Sequence, residues 1–122
     1  MVRTMKRIFR TLLVVTAIAA IAGPAVTASA SSTIEVVASN WKFTPNTIVL
    51  HAGQASTVRL SSSEGVHGLQ SDELGIPLTT LAPGAVKTLT VTPKKPGKYV
   101  LHCAVVCGAG HANMTLTVNV VP

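Results

Sequence analysis

Near the end of the chain, apolar and polar positions alternate. Met114, Leu116, Val118 and Val120 are separated by Thr115, Thr117 and Asn119, with Val121 the one apolar residue out of step. A period of two puts alternate side chains on opposite faces of an extended chain, so 114–121 is predicted to be a strand with one face in a core. Segments rich in Val, Ile, Leu and Thr predict further strands at 34–39, 47–50, 56–60, 85–92 and 98–102. Turn formers stand between them: Pro45-Asn46, Ala52-Gly53, 61–65, Ala82-Pro83-Gly84 and 93–97. Residues 31–122 contain no apolar stripe of helical period and no internal repeat; the one low-complexity stretch is the Ser-rich 29–32. This cadence predicts an all-β domain, an antiparallel sandwich or small barrel.

The first thirty residues follow a different pattern. A basic segment to Arg10 is followed by an apolar run over 12–22, then Gly23-Pro24 and a small-residue stretch ending Ala28-Ser29-Ala30. This is the layout of a secretory signal peptide, with cleavage after Ala30. The alternative is a retained anchor over 8–28 with Arg10 reaching back to the interface. The apolar run is well short of the ~20 residues a spanning helix needs, and Gly23-Pro24 interrupts it, so cleavage is the better reading. The n-region has no Arg-Arg pair, which favours general secretory export. Under either reading 31–122 forms one domain outside the cytoplasm, in the periplasm or on the outer face of the cytoplasmic membrane.

Charge follows the same division. The formal net charge is +6, but Arg3, Lys6, Arg7 and Arg10 all lie in the segment to be removed; residues 31–122 carry six basic and four acidic groups, a net +2. Aromatic residues make up 3% and charged residues 11% of the chain, so neither a disordered chain nor a nucleic-acid-binding one is expected. A domain of this size buries only about 60–65% of its unfolded surface and needs a staple.

The two cysteines are the obvious staple, and their spacing argues against a disulfide. They lie in Cys103-Ala-Val-Val-Cys107-Gly-Ala-Gly-His111-Ala-Asn-Met114, with one of the four histidines and the only methionine beyond residue 30. On an extended strand, Cα atoms four residues apart are about 13 Å from each other, beyond the ~7 Å limit for a bridge. A coiled-back loop would permit the bond, yet so small a loop would constrain little of the unfolded chain. Zinc would leave the Met114 thioether unexplained. Two thiolates, an imidazole and a thioether form a soft donor set that suits copper. Gly108 and Gly110 are expected to let the loop fold so that residues 103, 107, 111 and 114 converge.

A second imidazole must come from elsewhere. His67, in Val66-His67-Gly68-Leu69, is the best candidate. His51 borders a turn and reads as a solvated loop residue. His102 precedes Cys103 on a strand and so faces away from whatever Cys103 faces. Trp41 is expected in the core or at its edge, capping the sandwich.

The spacing Cys-x3-Cys-x3-His-x2-Met, with a distant His in a Val-His-Gly context, resembles the dinuclear copper A (CuA) motif of cytochrome c oxidase subunit II and of the related nitrous-oxide reductase domain. Gly97-Lys-Tyr99-Val-Leu-His-Cys103 is similar to the Gly-x-Tyr-x-hydrophobic-x-Cys strand of cupredoxins. Trp41-Lys-Phe-Thr-Pro-Asn46 and Leu81-Ala-Pro-Gly84 resemble further signatures of subunit II, and the likeness spans 33–121. Two loop cysteines distinguish it from the mononuclear blue-copper proteins, which have one. The resemblance implies a cupredoxin-like Greek-key β-sandwich or barrel. It also implies a site of two copper ions, with Cys103 and Cys107 as bridging thiolates and His67 and His111 as terminal ligands. Met114 and the backbone carbonyl of Val105 would be weak axial ligands. The family often has Glu or Gln where this chain has Val105, but a carbonyl is all that position must supply.

The function so implied is electron transfer between a c-type cytochrome or other redox protein and a terminal oxidase or reductase, with no catalysis by this chain alone. The ligand loop holds no carboxylate, and its cysteines have no positioned base apart from His111. Three settings fit the sequence: an exported free carrier, a subunit anchored by its N-terminus in a haem-copper oxidase, and a protein that stores Cu(I) or delivers it for oxidase assembly. A copper chaperone is expected to load the site, and nucleic acid is not expected as a partner. Glu64, Asp72 and Glu73 flank His67 and would make an acidic docking rim if they gathered; the plainer reading is three solvated charges. Lys94, Lys95 and Lys98 are expected in a solvated turn on the far side.

Overall fold

A computed structural model describes residues 16–25 and 32–122. The basic n-region and the proposed cleavage site after Ala30 lie outside the described residues. Residues 16–25 are exposed and without regular secondary structure, and no described helix is long and apolar enough to cross a membrane.

Nine strands make up the domain: β1 (Thr33–Ser39), β2 (Lys42–Thr44), β3 (Thr47–His51), β4 (Ser56–Ser62), β5 (His67–Ser71), β6 (Ile76–Leu81), β7 (Val86–Val91), β8 (Gly97–His102) and β9 (Thr115–Val121). One 3-10 turn, His111–Asn113, lies between β8 and β9. The strands form sheets ordered β2-β1-β4-β7 and β3-β9-β8, plus the hairpin β5-β6. All three contribute to one core of buried residues that includes Val36, Phe43, Leu50, Leu60, Leu69, Leu81, Leu101, Met114 and Leu116.

Each of the six predicted strands is present to within two residues at either end. In β9, Leu116, Val118 and Val120 are buried while the residues between them are partly exposed, as the alternation requires. Met114 precedes the strand proper but is extended, and its carbonyl accepts the Cys103 N–H at 3.1 Å, so the β8–β9 ladder continues one step toward the loop.

The pairing departs from a purely antiparallel sandwich. β1 runs parallel to β4, and β3 runs parallel to β9. In both cases the pairing brings two alternating faces into register. Val36 lies beside Leu60 and Ile48 beside Val118 on the core side, while Glu35 and Arg59 meet on the outside at 3.0 Å. That ion pair is exposed and contributes little stability.

Strands β2, β5 and β6 were not expected from the pattern. β2 is only three residues long. β6 carries Pro77, which cannot donate to a ladder and is tolerated in a two-stranded edge. In β5, His67, Gly68 and Leu69 are all buried in succession, so the period of two is lost. The cause is tertiary: the loop after β8 covers β5, with the Ala104 N–H donating to the Gly68 carbonyl at 2.9 Å. A strand buried on both faces shows no alternation.

Candidate metal centre

The loop between β8 and β9 brings the predicted donors together. Cys103 follows the last residue of β8 and is buried, whereas His102 is exposed, as the parity of an extended chain demands. His51, at the end of β3, is also exposed. Neither histidine belongs to the cluster.

His67 opens β5 and is fully buried. Its Nε2 lies 2.7 Å from the Glu64 carbonyl oxygen. A carbonyl can only accept, so Nε2 carries the proton and donates, leaving the Nδ1 lone pair free. Nδ1 lies 4.0 Å from the Cys103 sulfur. A backbone hydrogen bond of this kind sets ring orientation and tautomer before any metal arrives.

The remaining donors close around the two sulfurs. Both cysteines are free thiols. The ligating atoms of His67, Cys103 and Cys107 lie within 4.8 Å of one another. His111 Nδ1 is 3.5 Å from the Cys107 sulfur, and the Met114 sulfur is 3.9 Å from it. The Val105 carbonyl accepts from the Cys103 thiol at 3.3 Å, which turns that oxygen toward the cluster. Metal–nitrogen and metal–sulfur bonds of about 2.0 and 2.3 Å around one ion leave neighbouring donors about 3.3–4 Å apart. The observed separations fit that spacing, and the soft thiol and thioether donors fit copper. Burial raises the Cys107 thiol from 9.0 to about 11, with the neighbouring Cys103 adding to the shift, so Cys107 keeps its proton at neutral pH in the metal-free loop.

Burial divides the donors. His67, Cys103 and Met114 are shut away from solvent, whereas Cys107 and His111 are half-buried at the surface of the loop. Val106, between Val105 and Cys107, is 91% exposed.

Two sequence-based expectations need correction. Trp41 does not cap the core: it is 42% exposed and lies on the ligand loop, its indole N–H donating to the Cys107 carbonyl at 3.0 Å. The turn between β1 and β2 places it there, a neighbourhood no local pattern records. The two loop glycines also differ. Gly108 has φ +119°, a conformation that favours glycine, and bends the loop as expected. Gly110 has φ −90°, open to any residue, so it is needed for another reason.

The acidic residues do not make a rim. They are dispersed: Glu64 contributes its backbone carbonyl to His67, Asp72 lines a depression with His102, Cys103 and Ala104, and Glu73 lines another with Lys94, Lys95 and Tyr99. The lysine turn thus has an acidic neighbour of its own, and these charges are solvated.

Comparison with known proteins shows what the chain is similar to. Over 88 residues, 72% of this chain, it is 34% identical to a cytochrome c oxidase subunit 2 of Thermus thermophilus, of which it covers 64%. A second subunit 2 from that species is equally similar, with 52% of its length covered. The chain therefore spans between half and two thirds of these relatives. Among solved structures, the periplasmic domain of cytochrome oxidase subunit II (CoxB) of Bradyrhizobium japonicum superposes with a TM-score of 0.65 at 18% identity. That superposition covers 73% of this chain and 83% of CoxB, and it establishes a shared fold. The family model of the cupredoxin-like domain matches residues 11–118, so the chain belongs to the cupredoxin-like family.

Proposed function

We propose that this protein is an extracytoplasmic electron-transfer domain of the cytochrome c oxidase subunit II type, carrying a dinuclear copper centre. The observation that carries this reading is the convergence of six donors at one end of the sandwich: two thiols, two imidazoles, a thioether and the Val105 carbonyl. When bound there, two copper ions would supply a one-electron carrier that needs no bond to be made or broken. Cys103, Cys107, His67 and His111 would hold the ions, with Met114 and the Val105 carbonyl as weaker donors.

The chain's own residues supply rigidity and dryness. Cys103 and Met114 sit at the facing ends of β8 and β9, joined by a ladder hydrogen bond, so their separation is fixed by the sheet. Glu64 holds the His67 ring in its donor orientation. Leu69, Leu101 and Leu116 pack in the same core and exclude water from below. Fixed donors in a dry pocket lower the rearrangement needed when an electron arrives or leaves, which is what a fast carrier requires.

The partner chemistry follows from that role: a c-type cytochrome or similar redox protein as donor, and a haem-copper oxidase or other terminal reductase as acceptor. A copper chaperone would load the site after export.

Copper stoichiometry, with visible and electron-spin spectra of the reconstituted protein, tests the proposal. Two coppers per chain sharing one unpaired electron is the expected result. One copper per chain would make it a mononuclear site, and a colourless, readily exchanged Cu(I) would make the protein a copper carrier.

A further inference from the structure

Gly110 has no conformational need to be glycine, because its φ of −90° is open to every residue. What it lacks is space: a Cβ added there would overlap the Trp41 ring at Cγ. A Cβ on Gly108 would come within 3.0 Å of the indole nitrogen. The ring lies flush on the loop backbone at both glycines, and its N–H reaches the carbonyl of the residue between Val106 and Gly108.

The rest of the loop shows why this contact matters. Its recorded backbone bonds tie Cys103 to Met114 and Ala104 to Gly68 at one end, and residues 108, 110 and 111 to 111, 113 and 114 at the other. Between these anchored ends lie Val105, Val106 and Cys107. Val105 rests its side chain on Gly68, and Cys107 is tied through Trp41. Trp41 belongs to the turn that joins β1 to β2, so the tie runs from a different sheet of the sandwich to the least anchored ligand.

We propose that Trp41 is a positioning residue for the metal loop. Its indole clamps the Cys107–Gly110 backbone so that the Cys107 sulfur and His111 face Cys103 and Met114 before metal binds. The inference rests on the copper reading of this site. Its physical content is preorganisation: a loop already held in the ligating conformation retains metal longer, because detaching Cys107 requires the clamp to open as well.

The test uses the whole protein, metal-free and copper-loaded, with Trp41→Phe, Trp41→Ala and Gly110→Ala. Trp41→Phe keeps a ring on the glycines and removes the donor; Gly110→Ala keeps the donor and pushes the ring away. Two quantities are read: the rate at which an excess of Cu(I) chelator strips reduced copper, and amide exchange at 108–111 in the metal-free protein.

Trp41→Phe is expected to speed both by about 5-fold, the loss of one hydrogen bond. Trp41→Ala and Gly110→Ala should go further, and Trp41→Ala combined with Gly110→Ala should be no worse than either alone. Exchange in the β8–β9 ladder and the melting temperature should stay at the wild-type values for Trp41→Phe. Wild-type copper loss and loop exchange in both Trp41 variants would overturn the proposal, as would an equal rise in exchange through β8 and β9, the mark of a merely structural residue. Failure of the copper reading looks different: the wild-type protein would take up no copper, and loop exchange in the metal-free variants would decide the clamp alone.

Discussion

The β8–β9 ladder and the twelve-residue loop it carries, 103–114, are contiguous in the chain, yet they are held by different forces. In the ladder every residue from Gly97 to His102 has a partner in β9, and Leu101, Leu116 and Val118 are sealed in the core. In the loop the ties are few, and Val106 stands almost wholly in solvent. The proposed ligands divide along this line. Cys103, Met114 and His67 are fixed by strands and by burial, while Cys107 and His111 depend on the loop. The fold thus supplies half of a rigid site outright and leaves the other half to be completed by Trp41 and by metal.

The sharpest way to break this comparison is to remove a loop ligand. Cys107→Ser is expected to abolish dinuclear copper binding, read as loss of the shared-electron spectrum and of the second copper, while leaving the metal-free melting temperature near wild type. Cys103→Ser should lose the same spectrum and also destabilise the metal-free protein by about 1–3 kcal/mol in denaturant titration, because its hydroxyl would sit in a buried position.

Removing a ladder residue should do the converse. Leu116→Ala opens a cavity beneath the site and is expected to cost about 2–5 kcal/mol of unfolding free energy. Whatever fraction stays folded should still give the wild-type copper spectrum. A loss of spectrum at full folding would show that scaffold and loop are not separable.

Met114 belongs to both regions, and a volume-conserving change separates its roles. Met114→Leu should cost less than about 1.5 kcal/mol in stability, since the core position stays filled. It should keep two coppers and the shared-electron spectrum while shifting the reduction potential, measured by redox titration. Loss of one copper instead would make the thioether a primary ligand.

A further effect is in pH. The folded Cys107 thiol is raised to about 11 from an ordinary 9.0, so the unfolded chain loses this proton first as pH rises. A group with a raised folded value contributes stability below its unfolded value and loses it as pH climbs toward the folded one. The metal-free protein should therefore lose stability between about pH 9 and 11 relative to Cys107→Ser, in which that slope is absent. His111 and Cys103, which also face Cys107, remain in the comparison.

Much of this arrangement was legible in the sequence because it is local. The alternation at 114–121 specified which face of β9 is buried, the parity of 102 and 103 ranked His102 below His67 as the second imidazole, and the spacing of Cys103, Cys107, His111 and Met114 marked the loop as a soft donor set. The same local signals fail in β5. There Gly68 and Leu69 beside His67 are buried by the loop that follows β8, and burial from two sides erases periodicity.

What the sequence determined by itself is the inventory: strands with one apolar face, a net charge confined largely to the N-terminal segment, and a set of donors with the chemistry of copper. What only the tertiary structure decided is which distant groups complete them. The Trp41 ring, seated on Gly108 and Gly110 with its N–H on the Cys107 carbonyl, comes from 66 residues earlier in the chain, and His67, whose Nδ1 lies 4.0 Å from the Cys103 sulfur, from 36 residues earlier. A residue's periodicity reports which face of its own strand is buried; it carries no record of what lies against that face, because that depends on how every other strand is ordered.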